Sequence, residues 1–80
     1  MTTSVNSQLV EVISGLFNIS LSSITLNLAA GEIDAWDSLG HFNLILTIEQ
    51  HFGVKFKTDR IPDLLTVKLL QEELMNKGAI

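Results

Sequence analysis

One serine in this 80-residue chain lies where a hydroxyl group is suited to carrying a phosphate ester. Ser38 belongs to the run WDSLGH at positions 36–41 and directly precedes a segment rich in Leu, Ile and Phe with helical spacing. A serine at the start of a helix lies beside backbone N–H groups that have no intrahelical partner, at the positive end of the helix dipole. Such a position favours a phosphate or a phosphodiester. The alternative for Ser38 is an ordinary N-terminal cap or first-turn serine, since helix starts favour serine strongly.

Ser38 and His41 also suggest nucleophilic chemistry, because a three-residue spacing places two side chains on neighbouring helix positions. A small hydrolase built on this pair would need an orienting group, an oxyanion site and a pocket, for which 80 residues leave little room. We therefore expect no enzymatic activity, with His41 at the rim of the core or hydrogen-bonded to Asp37. His41, Glu49 and His51 lack the spacing of a zinc site, and no metal is expected.

The composition is that of one small acidic domain, spanning residues 1–80, with an aliphatic core. The chain is 46% hydrophobic and 6% aromatic, contains no cysteine and has a formal net charge of −4. Residues 1–54 contain five acidic residues and no Lys or Arg, whereas residues 55–80 contain all five cations. We expect no nucleic-acid binding and, instead, attraction of a cationic protein partner to the N-terminal two thirds. No segment has the length of a transmembrane helix, and we expect a cytoplasmic monomer.

The spacing of apolar residues predicts three helices and one short helical turn. The helices are expected at about 5–17, 38–52 and 67–76, and the turn at 59–65. The expected end signals are Thr3 or Ser4 before the first helix, Gly53 after the second and Thr66 before the last. Residues 18–37 are predicted to form a long ordered loop, unusual in so small a domain. Its apolar residues are expected to point into the core: Ile19, Leu21, Ile24, Leu26, Leu28 and Ile33.

The second predicted helix has more apolar surface than one packed face requires. At 100° per residue its apolar residues span an arc of roughly 220°, whereas a single core-facing stripe needs about 100°. One side carries Leu44, Ile45, Ile48 and Phe52, and the other carries Leu39, Phe42 and Leu46. Either the helix is central and packed on both sides, or the second side stays exposed as a docking surface.

The chain resembles the acyl carrier protein family over nearly its whole length. Asp37-Ser38-Leu39 matches that family's modification motif. The further matching positions are Leu44, Ile45, Ile48, Glu49, Phe52, Val54, Phe56, Thr66 and Val67. The resemblance implies an all-α fold, a small antiparallel four-helix bundle with three main helices and a short third helix. It favours the docking interpretation for Leu39, Phe42 and Leu46, and a core position for the opposite side of the second helix.

The resemblance also implies a covalent cofactor and a set of partner enzymes. A phosphopantetheinyl transferase would attach 4′-phosphopantetheine from coenzyme A to Ser38, and Asp37 would help to engage the transferase and its magnesium. The thiol of the arm would carry acyl groups as thioesters between acyl-loading and acyl-processing enzymes, of the ligase, ketosynthase or acyltransferase type, in fatty-acid, polyketide or related secondary biosynthesis. The hydrophobic interior is a candidate shelter for an acyl chain. The expected partner-binding residues are Leu39, Phe42, Leu46, Glu49 and Trp36.

Two departures from the family pattern define the alternatives. Gly40, Asn43 and Gln50 stand where carriers of primary fatty-acid synthesis usually have acidic residues, and Trp36 stands where a small residue is more usual. The chain therefore looks more like stand-alone carriers of specialised pathways.

A dedicated aminoacyl or peptidyl carrier remains open, although residues 35–38 do not match the Gly-Gly-(His)-Ser pattern of peptidyl carriers. An unmodified helical interaction module also remains open. Trp36 is either a packing anchor, a partner contact or a cover for the base of the arm.

Overall fold

The computed structural model describes residues 5–80, in which every regular element is a helix or a helical turn. The helices are α1 (Ser7–Phe17), α2 (Ser38–Phe52) and α3 (Val67–Asn76), with 3₁₀ turns at Leu21–Ser23 and Ile61–Asp63. Residues 5–80 contain no β-strand, only an isolated antiparallel bridge between Ala29 and Thr66. The all-α prediction is confirmed. Four helices are not confirmed, because a single 3₁₀ turn occupies the place expected for the short third helix.

The helix ends follow from side-chain caps. Helix α1 begins at Ser7 rather than at residue 5, because Asn6 Oδ1 accepts from the backbone N–H groups of Gln8 (2.9 Å) and Leu9 (3.2 Å). The expected caps Thr3 and Ser4 lie outside the described residues. Helix α2 ends at Phe52, and the following Gly53 caps it in the left-handed conformation, with φ of 68°. Helix α3 is capped by Thr66, as predicted, since its Oγ1 accepts from the N–H of Leu69 at 3.1 Å.

The core is aliphatic and takes a buried face from each α-helix. Helix α1 packs mainly against α2. The fully buried side chains are Leu9, Ile13, Trp36, Leu44, Ile45, Ile48, Leu64, Val67, Leu70 and Leu74. In the long loop Ile24 is buried, whereas Leu21 is 57% exposed because it lies in the surface 3₁₀ turn, so its predicted core position is wrong.

Backbone hydrogen bonds fix the long loop against the start of α3. Leu28 O accepts from Val67 N at 3.0 Å and Leu26 O from Lys68 N at 3.1 Å, while Ala30 N donates to Leu65 O at 2.8 Å. These bonds satisfy backbone polar groups of residues 26–30, which belong to no helix or strand. The loop is thereby held in one path as it approaches Ser38. None of the helices in residues 5–80 is both long and apolar enough to cross a lipid bilayer.

Candidate functional site

Ser38 is the first residue of α2 and does not cap it. The cap is Asp37, whose backbone is extended and whose Oδ1 accepts from Gly40 N at 2.8 Å. Ser38 is exposed, and within residues 5–80 its hydroxyl has no hydrogen-bond partner. Asp37 therefore caps the helix in place of a serine, and the hydroxyl of Ser38 remains open to solvent.

The first turn of α2 also has backbone donors that are not used. The N–H groups of Ser38 and Leu39 have no acceptor in the part of the chain that the structure describes. With the positive end of the α2 dipole, these donors favour an anion attached at Ser38 Oγ.

The loop before Ser38 lies directly against this first turn. A Cβ atom at Gly40 would overlap the carbonyl oxygen of Ala35, so only glycine fits there. The loop is closed on itself by bonds from Gly31 N to Trp36 O (2.8 Å) and from Trp36 N to Ile33 O (3.1 Å). Position 40 is thus closed to any side chain in this fold.

A buried hydrogen-bond chain connects the loop, α2 and the turn at Ile61–Asp63. Trp36 Nε1 donates to His41 Nδ1 at 3.0 Å, and His41 Nε2 lies 2.9 Å from Ile61 O. Because Nδ1 accepts, the proton of the neutral ring is on Nε2, which donates to the carbonyl. We call this chain the Trp36–His41–Ile61 link. His41 is 7% exposed, and the partner of its ring is Trp36 rather than the carboxylate of Asp37.

Trp36 lies in the core and not on the molecular surface. Its side chain is 0% exposed, and its ring centroid lies 5.7 Å from that of Phe17. Its ring is nearly parallel to the imidazole of His41, with the two centroids 6.2 Å apart. A side chain without solvent-accessible surface cannot contact a partner that approaches from outside. The position of Trp36 contradicts its prediction as a partner contact and favours its interpretation as a packing anchor.

A groove of about 670 Å³ opens beside Ser38, between the start of α2 and the segment 58–65. Its lining residues are Ala30, Gly31, Trp36, Asp37, Ser38, His41, Phe42, Thr58, Ile61, Pro62 and Leu65. Apart from Asp37 at its mouth, the lining has no acidic or cationic side chain. A concave apolar site of this size, with few polar groups, is typical of ligand-binding sites. The wall formed by Thr58, Ile61 and Leu65 was not predicted, because no local pattern in 58–65 indicates contact with residues about 20 positions earlier.

The two apolar sides of α2 have different environments. Leu44, Ile45 and Ile48 are at most 1% exposed, and Phe52 is partly buried against them. The opposite side, which we call the α2 apolar stripe, consists of Leu39, Phe42 and Leu46, which are 71%, 57% and 52% exposed. The helix is therefore packed on one side and open on the other.

Glu49, expected to contact partners, has a structural contact. Its carboxylate is half-buried, and Oε2 accepts from Phe56 N at 2.8 Å. This bond brings the chain back against α2 after Gly53. Within residues 5–80, no three His, Asp or Glu side chains are close enough together to hold a metal ion.

Comparison with known proteins gives no assignment: no family model matches the chain, and no curated protein matches it.

Proposed function

We propose that this chain is an acyl carrier protein, in which Ser38 holds 4′-phosphopantetheine as a phosphodiester. The observation that carries the proposal is the position of the Ser38 hydroxyl. It is exposed, free of hydrogen bonds within residues 5–80, at the N-terminus of a 15-residue helix and at the mouth of an apolar groove.

The residues around Ser38 fit such a group. The free N–H groups of Ser38 and Leu39 are suited to the phosphate oxygens. The groove, of about 670 Å³, has room for the arm or for the acyl group on its thiol, and its apolar walls favour an apolar cargo. The thiol itself would come with the arm, since the chain has no cysteine.

The surface around Ser38 is also suited to partner enzymes. The α2 apolar stripe begins one residue after Ser38, so that an enzyme acting at Ser38 would meet Leu39, Phe42 and Leu46. One carboxylate oxygen of Asp37 caps α2, and we propose that the other engages the transferase. We also propose that the turn Ile61–Asp63 corresponds to the short third helix of a four-helix carrier fold.

Two alternatives differ in what the geometry offers them. For a hydrolase, the Ser38–His41 pair lacks a base, because both ring nitrogens of His41 are engaged in the Trp36–His41–Ile61 link. An unmodified interaction module is favoured by the exposed α2 apolar stripe, which would bind a partner without any cofactor. An aminoacyl carrier shares the proposed cofactor and site, and differs only in cargo.

The test is the intact mass after incubation with coenzyme A, magnesium and a broad-specificity phosphopantetheinyl transferase. We expect one phosphopantetheinyl group on the wild type and none on Ser38→Ala. The matched control is Ser7→Ala, because Ser7 is likewise the exposed first residue of a helix behind an Asx cap. It should be modified like the wild type. A folded wild type that no transferase modifies would overturn the proposal in favour of the interaction module.

A further inference from the structure

The Trp36–His41–Ile61 link joins three segments of the chain. Trp36 lies in the loop two residues before Ser38, His41 lies one turn into α2, and Ile61 begins the turn that forms the far wall of the groove. The His41–Ile61 bond spans 20 positions. The link therefore connects the loop before Ser38 to the groove wall through the helix that starts at Ser38.

Its two bonds have different surroundings. On one side, the indole N–H of Trp36 is buried, so a hydrogen-bond acceptor is required there. On the other side, Ile61 O already accepts from Leu64 N at 3.2 Å, and His41 supplies a second donor. The Ile61–Asp63 turn is also held by Leu64, which is fully buried directly after it, and by Arg60, whose ion pairs with Asp63 and Glu73 are 3.8 and 3.4 Å long. Ion pairs that are partly exposed in this way contribute little to fixing a segment.

We propose that His41 is a positioning residue with two separable roles. Through Trp36 it fixes the loop that presents Ser38 to a modifying enzyme, and through Ile61 it fixes the wall of the groove. The functional part of this inference rests on the proposed attachment at Ser38. The structural part, a separate restraint on each segment, does not depend on it.

Two amide substitutions separate the roles, because each retains one half of the imidazole. In His41→Asn the carboxamide lies near the position of Nδ1 and can still accept from Trp36, but it is too short to reach Ile61. In His41→Gln the amide reaches the position of Nε2 and can still donate to Ile61 O, while the acceptor for Trp36 is lost. Trp36→Phe keeps an aromatic ring in the core but removes the indole N–H together with part of the buried ring volume. It should therefore reproduce the exchange pattern of His41→Gln with an additional loss of stability.

The first measurement is amide hydrogen exchange across the whole chain, read by mass spectrometry. We expect His41→Gln and Trp36→Phe to speed exchange in residues 31–37, and His41→Asn to speed it in residues 58–65, each relative to the other segment. Faster exchange of both segments by the same factor in every variant would overturn the proposal, because it would show only a general loss of stability.

The second measurement is the steady-state kinetics of phosphopantetheinyl transfer to the same variants, with unfolding midpoints measured in urea. We expect His41→Gln and Trp36→Phe to lower kcat/KM about fivefold, and His41→Asn to lower it less, although the midpoints of the two His41 variants are similar. Equal losses that follow the midpoints, or no loss at all, would overturn the positioning role. If the wild type is not modified, the proposed function fails, whereas the exchange pattern still tests the two restraints.

Discussion

Ser38 and Ser7 are nearly equivalent in local structure, yet their surroundings differ. Each is the exposed first residue of a helix and follows an Asp or Asn whose side chain makes the cap. Ser38 lines the groove of about 670 Å³ and directly precedes the α2 apolar stripe, whereas Ser7 lies on α1, away from both. The chemistry available to a serine at a helix start is therefore decided by what packs around it.

At Gly40 the loop before Ser38 packs closely against α2, and replacement of Gly40 by alanine tests that contact. The added methyl group would overlap Ala35 O, so we expect Gly40→Ala to lower the free energy of unfolding by roughly 1–3 kcal/mol, the usual cost of overpacking. The control is Gly15→Ala in α1, where an added Cβ meets no atom within 4 Å. It should stabilise by about 0.5–1 kcal/mol, because alanine favours a helix interior. Urea unfolding measures both, and a Gly40→Ala as stable as Gly15→Ala would contradict the close approach.

What the sequence predicts at single residues depends on whether the partner is near in the chain. The capping by Thr66 follows from local hydrogen bonding. Periodicity left open whether Leu39 is exposed, and only the family resemblance favoured the exposure that the structure has. The bond between Trp36 and His41 spans only five positions, yet it was not predicted, because a carboxylate stood closer to His41 in sequence. The role of Gly40 could not be predicted either, since it depends on the path of the loop.

At the level of the helices, the sequence predicted the bounds of helices with a clear apolar periodicity, but not the contacts that the loops make. The predicted bounds of α2 and α3 are confirmed, because each has a capping residue in front and α2 has a left-handed glycine behind. The turn at Ile61–Asp63 was expected, but its contact with His41 and its place in the groove wall lie 20 or more positions from the start of α2 in sequence and were not. The backbone hydrogen bonds between residues 26–30 and 65–68 could not be predicted, because they do not depend on a periodic pattern of side chains.

The two sides of α2 differ in burial, so the same Leu→Ala substitution should change stability strongly on one side and little on the other. Leu44 is 0% exposed, and Leu44→Ala should cost about 2–5 kcal/mol of stability, a large part of the total for a domain of this size. Leu46 is 52% exposed, and Leu46→Ala should change stability by less than about 0.5 kcal/mol.

If the α2 apolar stripe is a docking surface, Leu46→Ala should instead lower kcat/KM for phosphopantetheinyl transfer. The comparison requires urea unfolding and transfer kinetics on both variants under conditions where both are folded. A Leu46→Ala variant with the kinetics of the wild type would exclude Leu46 from the surface that the transferase uses.

Across the whole molecule, charge and apolar surface have complementary distributions. The α2 apolar stripe has no formal charge, while the loop before it contains Glu32 and Asp34, both exposed. The five cations all follow residue 54. An enzyme with a basic surface would thus be oriented toward the loop by long-range attraction and held by apolar contact with α2, which is weakly sensitive to salt.

Removing two charges from the loop should therefore slow association without disturbing the fold. In Glu32→Gln/Asp34→Asn the new amide at position 32 can still accept from Ala29 N, as Glu32 Oε1 does at 2.6 Å, so the loop should be kept. The control is Glu11→Gln/Glu72→Gln, which changes the net charge equally on the exposed faces of α1 and α3. We expect the loop variant to lower kcat/KM for transfer about two- to fivefold at low salt, and the difference to vanish at high salt. Equal effects of the two pairs would show that net charge alone matters. A loss that persists at high salt would indicate a direct contact in place of steering.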